Sequence, residues 1–320
     1  MIGEIAFGFD LKAIETRGQD SQLLVDLRKL LSPRNDPSDE FLRVLPCLIP
    51  LVKPLARLAL KNKIGPVGCI GSIFDIAGRM ITMRKNNSDL RRNDLLQMMI
   101  DAPSLTENEI KAMSFLFLTA GYETTSSVLG YVAYCLAANK DCQDKLRQEI
   151  LSYFPNTNKE IDYDTVMNKM DYLDWVCKET MRLYPIGNLV VNRFVVCDTE
   201  LCGIPLTPRC KSVLVDMWNI HQNQNYWGPV ESEKFYPERF SPEYSSNRPE
   251  FAFLAFGVGP RLCIGMRLAL FEMKLTLINI LLRFEFLPPI GGYPTGGLKV
   301  SSRESLMVPI EGVPIRLRNL

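Results

Sequence analysis

Histidine is almost absent from this chain of 320 residues, in which His221 is the only one. An excess of one charge sign is also lacking, since 37 lysines and arginines balance 36 acidic residues to a formal net charge of +1. The scarcity of histidine excludes zinc sites and iron centres that need two or more histidine ligands. The charge balance gives no electrostatic reason to expect nucleic acid as a partner.

A regular cysteine framework is missing too. The chain has nine cysteines, an odd number, and none of them forms a Cys-x-x-Cys pair. Such a scattered set is typical of a reducing compartment, so it predicts free and mostly buried thiols. With 47% hydrophobic and 23% charged residues, the composition is that of an ordinary globular protein with ample material for a core.

No apolar run in the sequence is long enough to cross a bilayer. The most apolar long segment, 41–60, is interrupted by Pro46, Pro50, Pro54, Arg43, Lys53 and Arg57. We interpret it as a proline-punctuated loop rather than as a segment lying on a membrane surface. The N-terminus has no basic region followed by an apolar run, so no signal peptide is expected.

The order of the predicted elements favours a mainly α fold with a small β region. Helices are predicted at 20–31, 70–85, 94–100, 106–139, 142–153, 171–183 and 266–284, and strands between 189 and 217. The longest helix begins with the capping-box pair Thr106 and Glu109, is apolar on nearly all sides, and would run about 50 Å through the core. In the next helix, Lys145 and Glu149 are predicted to pair at i, i+4.

The densest motif is the segment Phe256-Gly-Val-Gly-Pro-Arg-Leu-Cys-Ile-Gly265, directly before the last helix. Its three glycines and one proline require an irregular backbone. Cys263 lies where this loop enters the helix, and the N–H groups at a helix start favour a thiolate. Such a thiolate is either a nucleophile or a metal ligand, and the only histidine that could serve as its base lies 42 positions away. Two other interpretations are a fragment of a dinucleotide loop and an inert buried cysteine.

The complete spacing, Phe-x-x-Gly-x-Arg-x-Cys-x-Gly, resembles the haem-binding signature of the cytochrome P450 family. The resemblance implies the P450 fold and haem b, iron protoporphyrin IX, as the cofactor. It implies that Cys263 is the axial ligand of the haem iron and that Phe256, Arg261 and Gly265 belong to the cofactor-binding loop.

The long helix carries a second matching segment, Ala120-Gly-Tyr-Glu-Thr-Thr-Ser-Ser127. A glycine inside a helix costs about 1 kcal/mol relative to alanine, which indicates that something approaches the backbone there. The hydroxyls could instead bond to carbonyls one turn earlier and bend the helix slightly. The resemblance implies that Glu123 and Thr124 deliver protons to iron-bound dioxygen.

A third match is the pair Glu179 and Arg182 at i, i+3. On a solvated helix face such a pair would contribute about 0.2–0.5 kcal/mol. The resemblance implies that the pair is instead buried and completed by Arg239, from Pro237-Glu-Arg-Phe240.

Three residues are candidates for the haem propionates. Arg193 and Arg261 would bind them through charge-assisted hydrogen bonds, unless they are ordinary surface arginines. His221 lies where family members often carry a histidine near a propionate, and a satisfied core histidine is an equal alternative.

Within the family, the motifs are most similar to the branch of microsomal 3A-type enzymes and thromboxane synthase. The chain is interpreted as a single partial domain that matches the later part of a P450: roof helices and loops at 1–101, the long central helix and the Glu-x-x-Arg helix at 102–185, and the small β region, cysteine loop and following helix at 186–320. A membrane anchor would belong to a missing N-terminal part.

The function implied by the resemblance is a monooxygenase that inserts one oxygen atom from O2 into a lipophilic substrate. Electrons would come from NADPH through NADPH-cytochrome P450 reductase, at the cytosolic face of the endoplasmic reticulum membrane. One alternative is an endoperoxide isomerase of the thromboxane-synthase type, which needs no reductase and lacks the threonine that matches Thr124. Another is a truncated fragment without catalytic activity.

Overall fold

The computed structural model describes residues 7, 23, 25–27, 65–155, 160–187, 192–210, 212–294, 296–301 and 306–320. The proline-punctuated segment 41–60 lies outside the described residues. Of the helix predicted at 20–31, the described residues Leu23 and 25–27 are helical.

The described chain is mainly helical, with ten α-helices in its described ranges from residue 65 onward. In chain order they are α1 Gly65–Asn86, α2 Leu95–Asp101, α3 Glu107–Ala138, α4 Lys140–Tyr153, α5 Tyr163–Asn168, α6 Asp171–Leu183, α7 Met217–Gln222, α8 Gln224–Trp227, α9 Pro242–Ser245 and α10 Met266–Leu281. The long helices follow the sequence prediction closely. The short helices α5, α7, α8 and α9 were not predicted.

The strands are short and pair in four two-stranded antiparallel sheets. Their bounds are β1 Asn192–Phe194, β2 Thr199–Leu201, β3 Ile204–Leu206, β4 Ser212–Leu214, β5 Phe284–Leu287, β6 Val300–Ser301, β7 Val308–Pro309 and β8 Arg316–Asn319. The pairs are β1 with β4, β2 with β3, β5 with β8, and β6 with β7. Strands between 189 and 217 are thereby confirmed, and the mainly α fold with minor sheet is confirmed as well.

The prediction that the last helix extends to Phe284 is wrong. Helix α10 ends at Leu281, and Phe284 begins β5, which pairs with β8. Both backbone polar groups of the buried Phe286 are hydrogen-bonded to one side chain. Phe286 N–H donates to Gln143 Oε1 at 2.8 Å, and Gln143 Nε2 donates to the Phe286 carbonyl at 3.0 Å. Both partners are distant in sequence, so the local pattern could not reveal them.

The described chain divides into two compact units, Met1–Glu123 and Thr124–Leu320. The core of the first unit includes Phe7, Leu27, Ile73, Ile81, Leu96, Ile110 and Leu118. The core of the second unit is formed by apolar side chains from α3, α4, α6 and α10, including Val132, Leu136, Leu146, Ile150, Val176, Leu277 and Leu281. The interpretation as one partial domain stays a prediction.

The start of α3 confirms the predicted capping box. Thr106 N–H donates to Glu109 Oε2 at 2.8 Å, and Glu109 N–H donates to Thr106 Oγ1 at 3.3 Å. The two residues therefore satisfy each other's backbone donors, which fixes where the helix begins.

The predicted pair of Lys145 and Glu149 is wrong. Lys145 Nζ contacts Glu238 Oε1 at 2.5 Å, and the Glu149 carboxylate accepts the N–H groups of Tyr172 at 2.8 Å and Leu173 at 2.9 Å. Burial raises the pKa of Glu149, against the effect of those two backbone donors. Glu149 therefore accepts hydrogen bonds from backbone N–H groups in the first turn of α6, which have no partner within that helix, and does not pair with a neighbour on its own helix.

Among the described helices, none combines the length and the apolar character that a membrane crossing would need.

Candidate functional site

Glu179 and Arg182 form a buried ion pair in the second unit. Both side chains are fully buried on α6, and Arg182 donates from Nε to Glu179 Oε2 at 2.7 Å and from Nη2 to Oε1 at 2.8 Å. Arg239 lies in a short 3-10 turn at Pro237–Phe240 and donates from Nε to Glu179 Oε1 at 3.1 Å. One carboxylate thus holds two guanidinium groups away from solvent.

Backbone carbonyls supply the acceptors that a single carboxylate cannot. Arg182 donates to the carbonyls of His221 at 2.8 Å and Ser232 at 2.7 Å, and Arg239 donates to those of Trp227 and, at 2.8 Å, Val230. Burial lowers the pKa of Arg239, and the neighbouring Glu179 opposes that shift. Because removing one partner would leave a buried charge without compensation, this network is sensitive to single substitutions.

A third arginine, Arg248, joins this network and was missed by the sequence reasoning. Its guanidinium lies 4.0 Å from the ring centroid of Trp227 and 5.2 Å from that of Phe240, and its Nη2 donates to the Arg239 carbonyl at 2.6 Å. Burial lowers the pKa of Arg248 to about 10. In the sequence it stands in a polar, loop-rich stretch, where no local pattern distinguishes it from a surface arginine.

His221 is fully buried on α7 beside this network. Its Nε2 accepts the N–H of Leu254 at 2.8 Å, and its ring stacks on Phe253 with centroids 5.5 Å apart and an interplanar angle of 12°. Burial, reinforced by the charge of Arg182, lowers the pKa of His221 to about 4. The imidazole is therefore neutral near pH 7, with its proton on Nδ1, and this buried nitrogen has no hydrogen-bond partner among the described residues.

The cysteine loop has the irregular backbone that its glycines predict. Gly257 and Gly259 have φ values of +71° and +68°, a region that residues with a side chain rarely adopt. The loop closes on itself through a hydrogen bond from Cys263 N–H to the Phe256 carbonyl, at 2.9 Å. Gly265 is the N-cap of α10, so the exposed thiol of Cys263 stands two residues before the cap.

The predicted burial of most cysteines is wrong for the described part of the chain. Cys135 and Cys177 are buried and Cys142 is half-buried, whereas Cys197, Cys202 and Cys263 are exposed. All six are free thiols, as the scattered spacing predicts. Cys197 and Cys202 flank the exposed strand β2, which has no buried side to receive them.

The remaining predicted site residues are placed as follows. Glu123 and Thr124 are consecutive, half-buried residues of α3. Arg193, on β1, and Arg261, in the cysteine loop, are exposed, and neither forms an ion pair with a described carboxylate. Arg193 Nη1 donates to the carbonyl of its neighbour Asn192 at 2.7 Å. The structure thus joins Glu179, Arg182, Arg239 and His221 in one network, and Phe256 with Cys263 in the loop.

Known proteins are similar to this chain over most of its length. The family profile for Cytochrome P450 matches residues 1–303. Cytochrome P450 3A41 of Mus musculus is 39% identical over 251 residues, which make up 75% of this chain and 48% of that protein. Cytochrome P450 3A5 of Homo sapiens is 39% identical over 250 residues, 75% of this chain and 48% of that protein. Cytochrome P450 3A7 of Homo sapiens is 34% identical over 300 residues, 90% of this chain and 57% of that protein.

The chain spans about half the length of the curated relatives it matches. The similarity runs through the Glu-x-x-Arg helix and the cysteine loop, and it confirms the resemblance inferred from those motifs. The chain belongs to the cytochrome P450 family.

Proposed function

We propose that this chain forms the haem-thiolate part of a monooxygenase, which inserts one oxygen atom from O2 into a lipophilic substrate. The observation that carries the proposal is the exposed thiol of Cys263, presented by a glycine-rich loop two residues before the N-cap of α10.

The described residues fit an anionic porphyrin. The thiol of Cys263 is flanked by the exposed apolar side chains of Leu262 and Ile264, which suit an apolar ring. Arg261 stands two residues away, and Arg193 offers a second exposed guanidinium for propionate groups. The buried Nδ1 of His221 is a donor that lacks an acceptor among the described residues.

Each residue has one task in this proposal. Cys263 is the axial ligand, Phe256 and Gly265 shape the loop around it, and Arg261 and Arg193 bind the propionates. Bound haem supplies the activation of dioxygen. On α3, Glu123 holds and passes protons and the Thr124 hydroxyl relays them. Glu179, Arg182 and Arg239 stabilise the fold around the cysteine loop.

The partners follow from the same proposal. A monooxygenase of this kind needs two electrons for each oxygen atom inserted, and we propose that they come from NADPH through NADPH-cytochrome P450 reductase. We further propose that the protein works at the cytosolic face of the endoplasmic reticulum membrane. The relatives named Cytochrome P450 3A41 and 3A5 support this branch of the family.

The test is the absorption spectrum of the reduced, carbon monoxide-bound protein. We expect the red-shifted Soret band of a thiolate-ligated haem, and we expect Cys263→Ala to abolish it. Cys197→Ala is the matched control, because Cys197 is also an exposed free thiol but lies outside the loop. A thiolate band that survives Cys263→Ala would refute the ligand assignment, and haem-free protein would favour the non-catalytic alternative.

Substrate turnover separates oxygen insertion from endoperoxide isomerisation. We expect product formation to require NADPH and the reductase, and Thr124→Ala to reduce the coupling of electron use to product by about tenfold or more, as for loss of a general acid–base group. Endoperoxide conversion without NADPH, insensitive to Thr124→Ala, would instead support the isomerase.

A further inference from the structure

We infer that His221 is a positioning residue that links the buried Glu179–Arg182 pair to the loop that presents Cys263. The link to Cys263 rests on the proposed function, whereas the contacts of His221 do not. This role differs from binding a propionate, because His221 would act through the backbone of Leu254 rather than on the cofactor.

His221 makes a hydrogen bond in each of two directions. Its carbonyl accepts from Arg182 Nη1 at 2.8 Å, and its side-chain Nε2 accepts from Leu254 N–H at 2.8 Å. All three residues are buried. A single residue of α7 thereby connects α6 with the segment that leads into the cysteine loop.

The connection continues from Leu254 along the loop backbone. The carbonyl of Leu254 accepts the N–H of Gly257 at 2.8 Å, and the carbonyl of Phe256 accepts the N–H of Cys263 at 2.9 Å. Leu254 therefore has its N–H fixed by His221 and its carbonyl fixed by the first turn of the loop. A shift of Leu254 would move the residues that hold Cys263.

Two properties make His221 suited to this task. Its ring stacks on Phe253, the residue before Leu254, so the orientation of the imidazole is fixed as well as its hydrogen bond. Nε2 can accept only while it carries no proton, and burial beside Arg182 disfavours the charged imidazolium. Replacing the acceptor would leave the buried Leu254 N–H unsatisfied, which is more costly than losing an exposed hydrogen bond.

The test compares three substitutions at the same position. His221→Gln keeps an acceptor near the position of Nε2, His221→Asn is polar but too short to reach Leu254, and His221→Phe keeps a ring without an acceptor. Amide hydrogen exchange of Leu254 and of segment 255–263 is measured in each variant. We expect exchange in this segment to accelerate about tenfold or more for Phe and Asn, and to change less than about threefold for Gln.

The spectrum of the haem-loaded protein gives the second measurement. At equal haem content, we expect the fraction of thiolate-ligated Soret band to fall by at least about twofold in His221→Phe and His221→Asn, and to be retained in His221→Gln. If His221 were merely structural, the three variants would lower the unfolding midpoint equally, and the thiolate Soret band of His221→Gln would not differ from that of the other two. If His221→Phe does not fold, the comparison of Asn with Gln gives the same answer.

Two results would overturn the inference. One is unchanged hydrogen exchange at Leu254 in both His221→Phe and His221→Asn. The other is that His221→Gln accelerates exchange and lowers the thiolate Soret band as much as those two variants do. The proposed function fails separately, when Cys263→Ala retains the thiolate band. In that case hydrogen exchange at Leu254 still decides whether His221 holds the loop.

Discussion

Single buried residues decide the electrostatics of the second unit. Glu179 is the carboxylate shared by Arg182 and Arg239, and all three side chains are almost wholly inaccessible to solvent. Arg248 adds a third guanidinium that is stabilised by Trp227 and by a backbone carbonyl. The cluster therefore holds more positive than negative charge. Its stability depends on Glu179 and on the backbone carbonyls that accept hydrogen bonds from the three arginines.

Replacing Glu179 with glutamine should destabilise the protein by about 3–5 kcal/mol, because the change leaves two buried guanidinium groups without a countercharge. Chemical denaturation measures the loss. Glu231→Gln is the matched control, since Glu231 pairs with Lys234 on the surface and such pairs contribute little. Similar losses in the two variants would contradict a special role for the buried carboxylate.

His221 should make stability depend on pH between about 6.5 and about 4, its unfolded and native pKa values. In this window the unfolded chain binds a proton that the native imidazole, buried and facing the charged Arg182, does not bind. Stability is therefore lost as the pH falls, by up to about 3 kcal/mol at the acid end. Unfolding midpoints measured across the window should show a shallower pH dependence in His221→Gln. A slope that the substitution does not change would show that other groups cause it.

At the scale of elements, hydrogen bonds at helix ends and contacts between helices stabilise the fold. The capping box of α3 should make Thr106→Ala cost about 1 kcal/mol, because the Glu109 N–H loses its acceptor, Thr106 Oγ1. Thermal or chemical unfolding measures the effect. Glu109→Gln is the control, since glutamine also suits that position of a capping box, and a loss as large as that of Thr106→Ala would contradict the explanation.

Helices α6 and α10 are joined by an ion pair between a buried lysine and a partly exposed aspartate. Lys274 is 1% exposed, and its Nζ lies 2.8 Å from Asp174 Oδ1. Burial raises the pKa of Asp174, but Lys178 and Lys274 outweigh burial and lower it overall. Since α10 follows the cysteine loop and α6 carries Glu179, this pair fixes the two elements to each other.

Asp174→Asn should therefore destabilise the protein by less than about 3–5 kcal/mol, the loss expected for a fully buried pair, because Lys274 would lose its countercharge at a partly exposed site. The double variant Asp174→Asn with Lys274→Met should recover much of that loss, since no charge is then left buried. A double-mutant cycle from denaturation curves measures the coupling. Additive losses would show that the two side chains do not interact energetically.

The sequence predicted well what local patterns determine. The long helices follow apolar periodicity, α3 begins at its capping box, and the spacing around Cys263 indicates the family. Prediction from the sequence failed where the partner is distant along the chain. The Glu149 carboxylate accepts the N–H groups of Tyr172 and Leu173, and the Gln143 side chain accepts the N–H of Phe286. The guanidinium of Arg248 lies over the ring of Trp227. Long-range contacts override local preference, so only the folded chain reveals them.

At the scale of the whole molecule, the chain divides into two compact units, and the second contains both the Glu179 network and the cysteine loop. Family membership is shown over residues 1–303, while the chain spans about half of its curated relatives. The proposed function therefore depends on one chemical statement, that the sulfur of Cys263 binds the haem iron.

Resonance Raman spectroscopy of the haem-loaded protein tests that statement most directly, when cysteine is labelled with a heavy isotope of sulfur. We predict an iron–sulfur stretching band that shifts to lower frequency with the label and is absent from Cys263→Ala. An isotope-insensitive spectrum, or a shifting band that persists in Cys263→Ala, would contradict the account.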